Sequence, residues 1–71
     1  MIKVQAKYTI TTYDEEYNPH EVFIRLNFYD AERDEQHGWW IVVDEYGSRQ
    51  LFCDKRFRQE FLPIRQDKEV L

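Results

Sequence analysis

Alternating apolar and polar residues predict two strands in the first half of the chain. Residues 2–11 alternate with a period of two, and their apolar positions are Ile2, Val4, Ala6, Tyr8 and Ile10. Residues 21–30, EVFIRLNFYD, alternate in the same way: one side carries Val22, Ile24, Leu26 and Phe28, the other Phe23, Arg25, Asn27 and Tyr29. This period is typical of strands with one buried face. The intervening DEEYNPH, residues 14–20, predicts a loop.

A hairpin is predicted in the second half of the chain. Trp39–Glu45 forms its first strand, Tyr46-Gly47 its turn and Ser48–Cys53 its second strand, after a charged loop at residues 31–38. A two-residue turn pairs Trp40 with Cys53 and places Trp39 on the more continuously apolar side. A three-residue turn with a bulge would shift this register and reassign the faces of the fourth strand.

A short helix is predicted to begin at Asp54, a favoured N-cap residue, and to end at Pro63. Phe57, Phe61 and Leu62 recur on one side of it. Residues Ile64–Leu71 are expected to form either a fifth strand or a frayed tail.

These elements predict an α+β fold that is mainly β. We expect a small antiparallel sheet of four to five strands with one short C-terminal helix, and a partly closed SH3-like or OB-like barrel is the alternative. The chain of 71 residues is interpreted as a single domain, residues 1–71. A deep catalytic cleft is not expected at this size.

Composition and charge narrow the class of protein. Hydrophobic residues make up 42% and aromatic residues 17%, as in a folded domain. The lone Cys53 excludes an internal disulfide and the N-terminus lacks an apolar signal region, so a cytoplasmic, non-membrane protein is expected. The net charge is −4, but residues 13–36 are strongly acidic whereas residues 49–65 are basic.

The sequence offers no motif for catalysis. His20, His37 and Cys53 lack the short spacings of a metal site, and no phosphate-binding loop or dinucleotide fingerprint is present. Cys53 is expected to be a buried structural residue, since free cysteines are often buried. We therefore expect neither an enzyme nor a bound metal or cofactor.

The remaining features favour a small non-catalytic protein-binding module. It resembles in character the inhibitors and adaptors that phages and mobile elements encode, and it would occupy a partner's surface through acidic loops and exposed aromatics. The candidate contact residues are Phe23, Arg25, Tyr29, Asp30, Glu32, Asp34, Glu35 and Trp40. The partner's identity does not follow from the sequence, and a homodimer is a further possibility.

One alternative function accompanies this hypothesis. A single-stranded nucleic-acid binder could stack bases on Phe23 and Tyr29 and use the basic residues 55–58, although the negative net charge opposes it.

The adjacent tryptophans must point to opposite faces of their strand. In the preferred register Trp39 is predicted to be the core ring and Trp40 to be partly exposed.

Overall fold

Five antiparallel strands form the main sheet of the computed structural model, which describes residues 1–64. The elements in chain order are β1 Ile2–Ala6, β2 Ile10–Tyr13, β3 Pro19–Phe23, β4 Phe28–Asp34, β5 Trp39–Val43, β6 Arg49–Cys53, α1 Asp54–Glu60 and β7 Phe61–Pro63. The main sheet has the order β6-β5-β4-β1-β7, and β2 pairs with β3 in a separate hairpin. This confirms the predicted α+β, mainly β class. The main sheet is open, with β6 and β7 at its edges, and not a closed barrel.

The first predicted strand is divided into β1 and β2. At the end of β1, the backbone of Ala6 is hydrogen-bonded to the backbone of Leu26 and Asn27. The next residue, Lys7, donates from its backbone N to Glu60 O at 2.8 Å. The chain then leaves the sheet, which places Tyr8 at 59% exposure, outside the apolar face predicted for it. Val4 and Ala6 alone of the predicted row are fully buried.

The second predicted strand is also divided, and the faces assigned to it were wrong. A turn at residues 24–27 separates β3 from β4, closed by Asn27 N donating to Ile24 O at 3.0 Å. Leu26 has a φ of 75° within it, a left-handed conformation that is uncommon for leucine. Phe23 and Tyr29, predicted to face outward, are in the core, whereas Phe28, predicted to face inward, is 57% exposed.

The first half of the predicted charged loop at residues 31–38 is strand, and the second half is a turn. β4 continues through Asp34 and pairs with β5, so that Glu32 lies opposite Ile41 and Asp34 opposite Trp39. Its charged residues alternate with Ala31, which is buried. A strand can carry such charges when one of its faces is solvated.

The β5–β6 hairpin uses the longer turn. Trp40 pairs with Phe52 and Trp39 with Cys53, one residue away from the preferred register. Asp44 N donates to Ser48 O at 2.8 Å, which leaves three residues in the loop, and Gly47 adopts a φ of 81°. The buried Asp44 carboxylate fixes this loop by accepting hydrogen bonds from Tyr46 N, Ser48 N and Gln50 Nε2.

The helix begins at Asp54 as predicted but ends earlier. Its N-cap is Cys53 and not Asp54, and the Cys53 Sγ accepts from Arg56 N at 3.5 Å. After Glu60 the chain turns extended, and Phe61–Pro63 form the edge strand β7 beside β1. The last described strand thus lies before residues 64–71, the segment for which a fifth strand was predicted. Ile64 N donates to Lys3 O, and residues 65–71 lie outside the described part of the chain.

The core lies on one side of the main sheet, between the sheet, α1 and the base of the β2–β3 hairpin. The buried apolar residues are Val4, Ala6, Val22, Phe23, Tyr29, Ala31, Val42, Phe52, Phe57 and Phe61, with Ile10 and Trp40 packed against them. Phe23 is at its centre: its ring is 4.9 Å from Tyr29, 5.8 Å from Phe52 and 5.1 Å from Phe61. Edge-to-face packing of this kind suits aromatic rings.

The Tyr29 hydroxyl connects two loops and gives the fold a pH dependence. It accepts from Ile24 N at 2.7 Å and donates to Glu45 Oε2 at 2.6 Å. Burial and then the Glu45 hydrogen bond raise the pKa of Tyr29 from 10.0 to about 12. The folded state therefore keeps a proton that the unfolded state has lost.

The contribution of Tyr29 to stability is expected to stay constant below about pH 10. It should fall between about pH 10 and 12, where Tyr29 ionises in the folded protein. Thermal denaturation followed by circular dichroism across this range measures the loss. The Tyr29→Phe variant should be less stable at neutral pH, because Ile24 N loses its acceptor, and should show a smaller loss at high pH. An equal alkaline loss in the variant would contradict this role.

Candidate interaction surface

The side of the main sheet opposite the core has no second layer among residues 1–64. We call this side the open face. Its side chains, assigned from the strand register and their alternation with the buried residues, are Lys3 and Gln5 on β1, Phe28, Asp30, Glu32 and Asp34 on β4, Trp39, Ile41 and Val43 on β5, Arg49, Leu51 and Cys53 on β6, and Leu62 on β7. Antiparallel sheets often leave one face to solvent, but that face is usually polar.

A row of carboxylates runs along the middle of the open face. Asp30, Glu32 and Asp34 alternate with core-side residues of β4, and β4 is the central strand of the main sheet. We call these three residues the acidic row. The alternation puts all three carboxylates on the same side, at intervals of roughly 6.6 to 6.8 Å along the strand.

An apolar area lies beside the acidic row. Trp39, Ile41 and Val43 on β5 are half-buried by their neighbours, and Leu51 on β6 lies opposite Ile41 with 53% of its surface exposed. We call these four residues the apolar rows. Phe28 extends the apolar surface at one end of β4, so the open face combines large hydrophobic side chains with a central line of negative charge.

Cations at the sides partly neutralise the acidic row. Lys3 Nζ lies 2.7 Å from Asp30 Oδ1, and Arg49 Nη2 lies 3.8 Å from Glu32 Oε1. Both pairs are exposed to solvent, and exposed pairs of this kind contribute little to stability. The carboxylates can therefore exchange these cations for those of a partner at small cost, and the acidic row keeps one more negative charge than its two cations balance.

The turn after β4 adds an aromatic stack at one end of the open face. The His37 ring lies parallel to the Trp39 ring, with centroids 4.8 Å apart, and His37 Nδ1 is 2.8 Å from Asp34 Oδ2. This hydrogen bond lowers the pKa of Asp34, which stays ionised. The Trp39 indole N–H is buried and makes no hydrogen bond of acceptable geometry with any group among residues 1–64. It is nevertheless close enough to the Asp34 carboxylate to help lower the pKa of Asp34.

The structure divides the predicted contact residues into two groups. Asp30, Glu32 and Asp34 lie together in the acidic row, and Glu35 is exposed in the adjoining turn. Asp30 lies in a strand as predicted, Glu32 and Asp34 lie in a strand where a loop was predicted, and Glu35 lies in the turn within that predicted loop.

The aromatic members of the predicted set do not lie on this surface. Phe23 and Tyr29 are 0% and 6% exposed, so they were wrongly placed on an outward face. Arg25 is exposed in the turn between β3 and β4. Trp40 packs on the core side, stacked on Phe57 with centroids 4.1 Å apart, and donates from Nε1 to Asp54 Oδ1 at 2.9 Å. The predicted roles of Trp39 and Trp40 are thus exchanged.

Sequence reasoning missed the apolar half of the surface: Phe28, Trp39, Ile41, Val43 and Leu51. The alternation on β5 did show that both its faces are apolar. The sequence could not show that α1 covers only the side of Trp40, because this depends on the register of β6 and on the direction in which the chain enters the helix.

The described residues bear on the predictions about metal binding and Cys53. No group of three or more His, Cys, Asp or Glu residues among them is placed to hold a metal ion. Cys53 is exposed at the edge of the open face and is not buried opposite Trp40 as predicted. No helix within residues 1–64 is long and apolar enough to cross a membrane.

Comparison with known proteins supplies no relative. The sequence matches no protein-family model, and neither curated proteins nor solved structures gave a significant match.

Proposed function

We propose that this protein is a small, non-catalytic protein-binding module and that the open face is its contact surface. The observation that carries the proposal is the combination of apolar rows and an acidic row on a sheet face without a second layer in the described part of the chain. Solvated faces rarely carry this many large hydrophobic residues, and contiguous exposed apolar surface is typical of interaction sites.

The partner surface has a defined chemistry. Its centre must be apolar to cover Trp39, Ile41 and Leu51, and basic residues must border that centre to meet the acidic row. Tryptophan is enriched among the residues that dominate binding energy, and Trp39 has apolar neighbours that exclude water around it. An inhibitor or adaptor of the phage or mobile-element kind would act by occupying such a surface.

The open face disfavours nucleic acid as the ligand. Phe23 and Tyr29, the rings expected to stack on bases, are inside the core. The acidic row lies along the centre of the remaining exposed surface and would repel phosphates. Binding of a single-stranded oligonucleotide is therefore the alternative outcome of the experiments below, and not the function proposed.

A homodimer through the open face is disfavoured for the same electrostatic reason. Because the acidic row is on the central strand, a two-fold axis through that face would bring two acidic rows together. A homodimer would instead use the free edge of β6, since the other edge strand is only three residues long and ends at Pro63.

Affinity capture with matched variants tests the proposed function. Immobilised wild-type protein, Glu32→Lys and Leu51→Ala are each exposed to extract of the source cell, and retained proteins are identified by mass spectrometry. We expect a defined protein to bind the wild type and to be lost, by about tenfold or more, from both variants, because one removes charge complementarity and the other apolar contact.

Two control variants match these changes elsewhere on the surface. Glu15→Lys makes the same charge change in the β2–β3 turn, and Leu26→Ala removes a leucine that is 54% exposed, close to the 53% of Leu51. Both controls should retain the partner. Loss in the controls with retention by Glu32→Lys and Leu51→Ala would contradict the proposal.

A further inference from the structure

We propose that the segment of the partner that docks on the open face is a basic amphipathic α-helix, lying over β4 and β5 with its cations on the acidic row. This inference rests on the proposed function and adds the form of the ligand. It follows from the spacing of the charged and apolar side chains on these two strands.

The first match is along the strands. Asp30, Glu32 and Asp34 are two residues apart, so successive carboxylates are separated by roughly 6.6 to 6.8 Å. On an α-helix, residues four apart rise by about 6 Å and lie on one side. Lys or Arg at i, i+4 and i+8 therefore comes close to each carboxylate in turn.

The second match is across the strands. The apolar residues of β5 lie beside the acidic row at the inter-strand distance of about 4.8 Å, with Ile41 next to Glu32 and Trp39 next to Asp34. Neighbouring rows on a helix surface are about 5 to 6 Å apart. A helix with one basic row and one adjacent apolar row thus fits both strands at once. Leu51 on β6 would contact the flank of that helix on the side away from β4.

An extended strand is a poorer fit for this face. Side chains that point to one side of a strand form a single row, so one strand could meet the acidic row or the apolar residues of β5 but not both. A strand would pair instead with the backbone at the β6 edge. There it would lose contact with the acidic row of β4, because β6 and β5 lie between them.

Two synthetic peptides of identical composition test the inference. In the first, Lys occupies i, i+4 and i+8 with Leu in the neighbouring helical row; in the second, the same residues alternate with a period of two. We expect the helical peptide to bind at least tenfold more tightly to the wild type, to gain helix content in circular dichroism, and to shift the amide resonances of Glu32, Trp39 and Leu51. Glu32→Lys should weaken it about tenfold and Glu15→Lys should leave it unchanged.

Tighter binding of the alternating peptide, shifts confined to the β6 edge, no binding of either peptide at roughly 1 mM, or no gain of helix on binding would each overturn the helix inference. None of these results bears on the affinity capture described above. If capture still depends on Glu32 and Leu51 while the helical peptide fails, the open face is the contact surface and its ligand has another form. If capture does not depend on them, the proposed function itself fails.

Discussion

Replacing Phe23 with alanine is expected to cost about 3 to 5 kcal/mol of unfolding free energy, whereas the same change at Phe28 should cost about 1 kcal/mol or less. Phe23 is fully buried and contacts three other aromatic rings, so removal of its side chain leaves a large cavity between the main sheet and the β2–β3 hairpin. Phe28 is 57% exposed on the open face. A domain of this size is stable by roughly 4 to 10 kcal/mol, so Phe23→Ala should be largely unfolded on heating to physiological temperature.

Urea denaturation of the two variants measures both costs, and the comparison is matched because the residue removed is the same. It also tests which residues of this segment face the core. A larger loss of stability for Phe28→Ala than for Phe23→Ala would contradict the burial of Phe23 and the exposure of Phe28.

The second large effect concerns the two tryptophans. Trp40→Ala is expected to cost about 3 to 5 kcal/mol, because it removes the stack on Phe57 and the hydrogen bond to Asp54 and leaves a cavity under α1. Trp39→Ala should cost only about 1 to 2 kcal/mol, since its ring stacks on the exposed His37 and its buried N–H lacks a hydrogen bond among residues 1–64. The folded Trp39→Ala variant should, however, lose about 2 kcal/mol or more of partner affinity.

Denaturation and partner titration of the same variants check this separation. Trp39→Phe is the control, because it keeps an aromatic ring on the open face and removes the N–H without a partner. It should be as stable as the wild type and should retain most of the affinity. Unfolding by Trp39→Ala, or full partner affinity in that variant, would remove Trp39 from the contact surface.

The sequence predicted those parts of the fold that depend on local patterns. Val4 and Ala6 on β1 and the beginning of α1 at Asp54 were marked by alternation or by a favoured helix start. The hairpin between Trp39 and Cys53 followed from Gly47, whose positive φ the turn requires.

Its register could not be predicted, because a two-residue and a three-residue loop around the same glycine differ only in how Asp44 and Ser48 pair. This difference of one residue in the length of the loop decided which tryptophan faces the core. The preferred register was wrong for this reason. Trp40, predicted to be partly exposed, is half-buried but lies on the core side, and Cys53, predicted to be buried, is exposed.

The turn at residues 24–27 left no signal of the usual kind. It contains neither Gly nor Pro, and Leu26 is held at a positive φ by tertiary hydrogen bonds: its N–H donates to Ala6 O, and Gln5 Nε2 donates to its carbonyl. The alternation of residues 21–30 runs through this turn, so it gave no sign that the strand is divided and did not show which side faces the core. Phe23 and Tyr29 were assigned to the wrong side.

The candidate surface was predicted in its charges and missed in its apolar residues. Dense charge at residues 31–38 predicted a loop, although a strand with one solvated face can carry such charges as well. In the structure β4 continues through Asp34, and alternation gathers Asp30, Glu32 and Asp34 on one side. Their apolar neighbours on β5 come from the strand pairing, which no local pattern reveals.

The most direct test of the open face as the contact surface is nuclear magnetic resonance mapping of the isotope-labelled protein with the partner that affinity capture retains. Amide resonances of Glu32, Trp39, Ile41 and Leu51 are expected to shift or broaden on binding, while those of the β2–β3 turn around Glu15 and the exposed side of α1 around Lys55 stay in place. Changes confined to the turn or the helix, with the open face unaffected, would contradict the account.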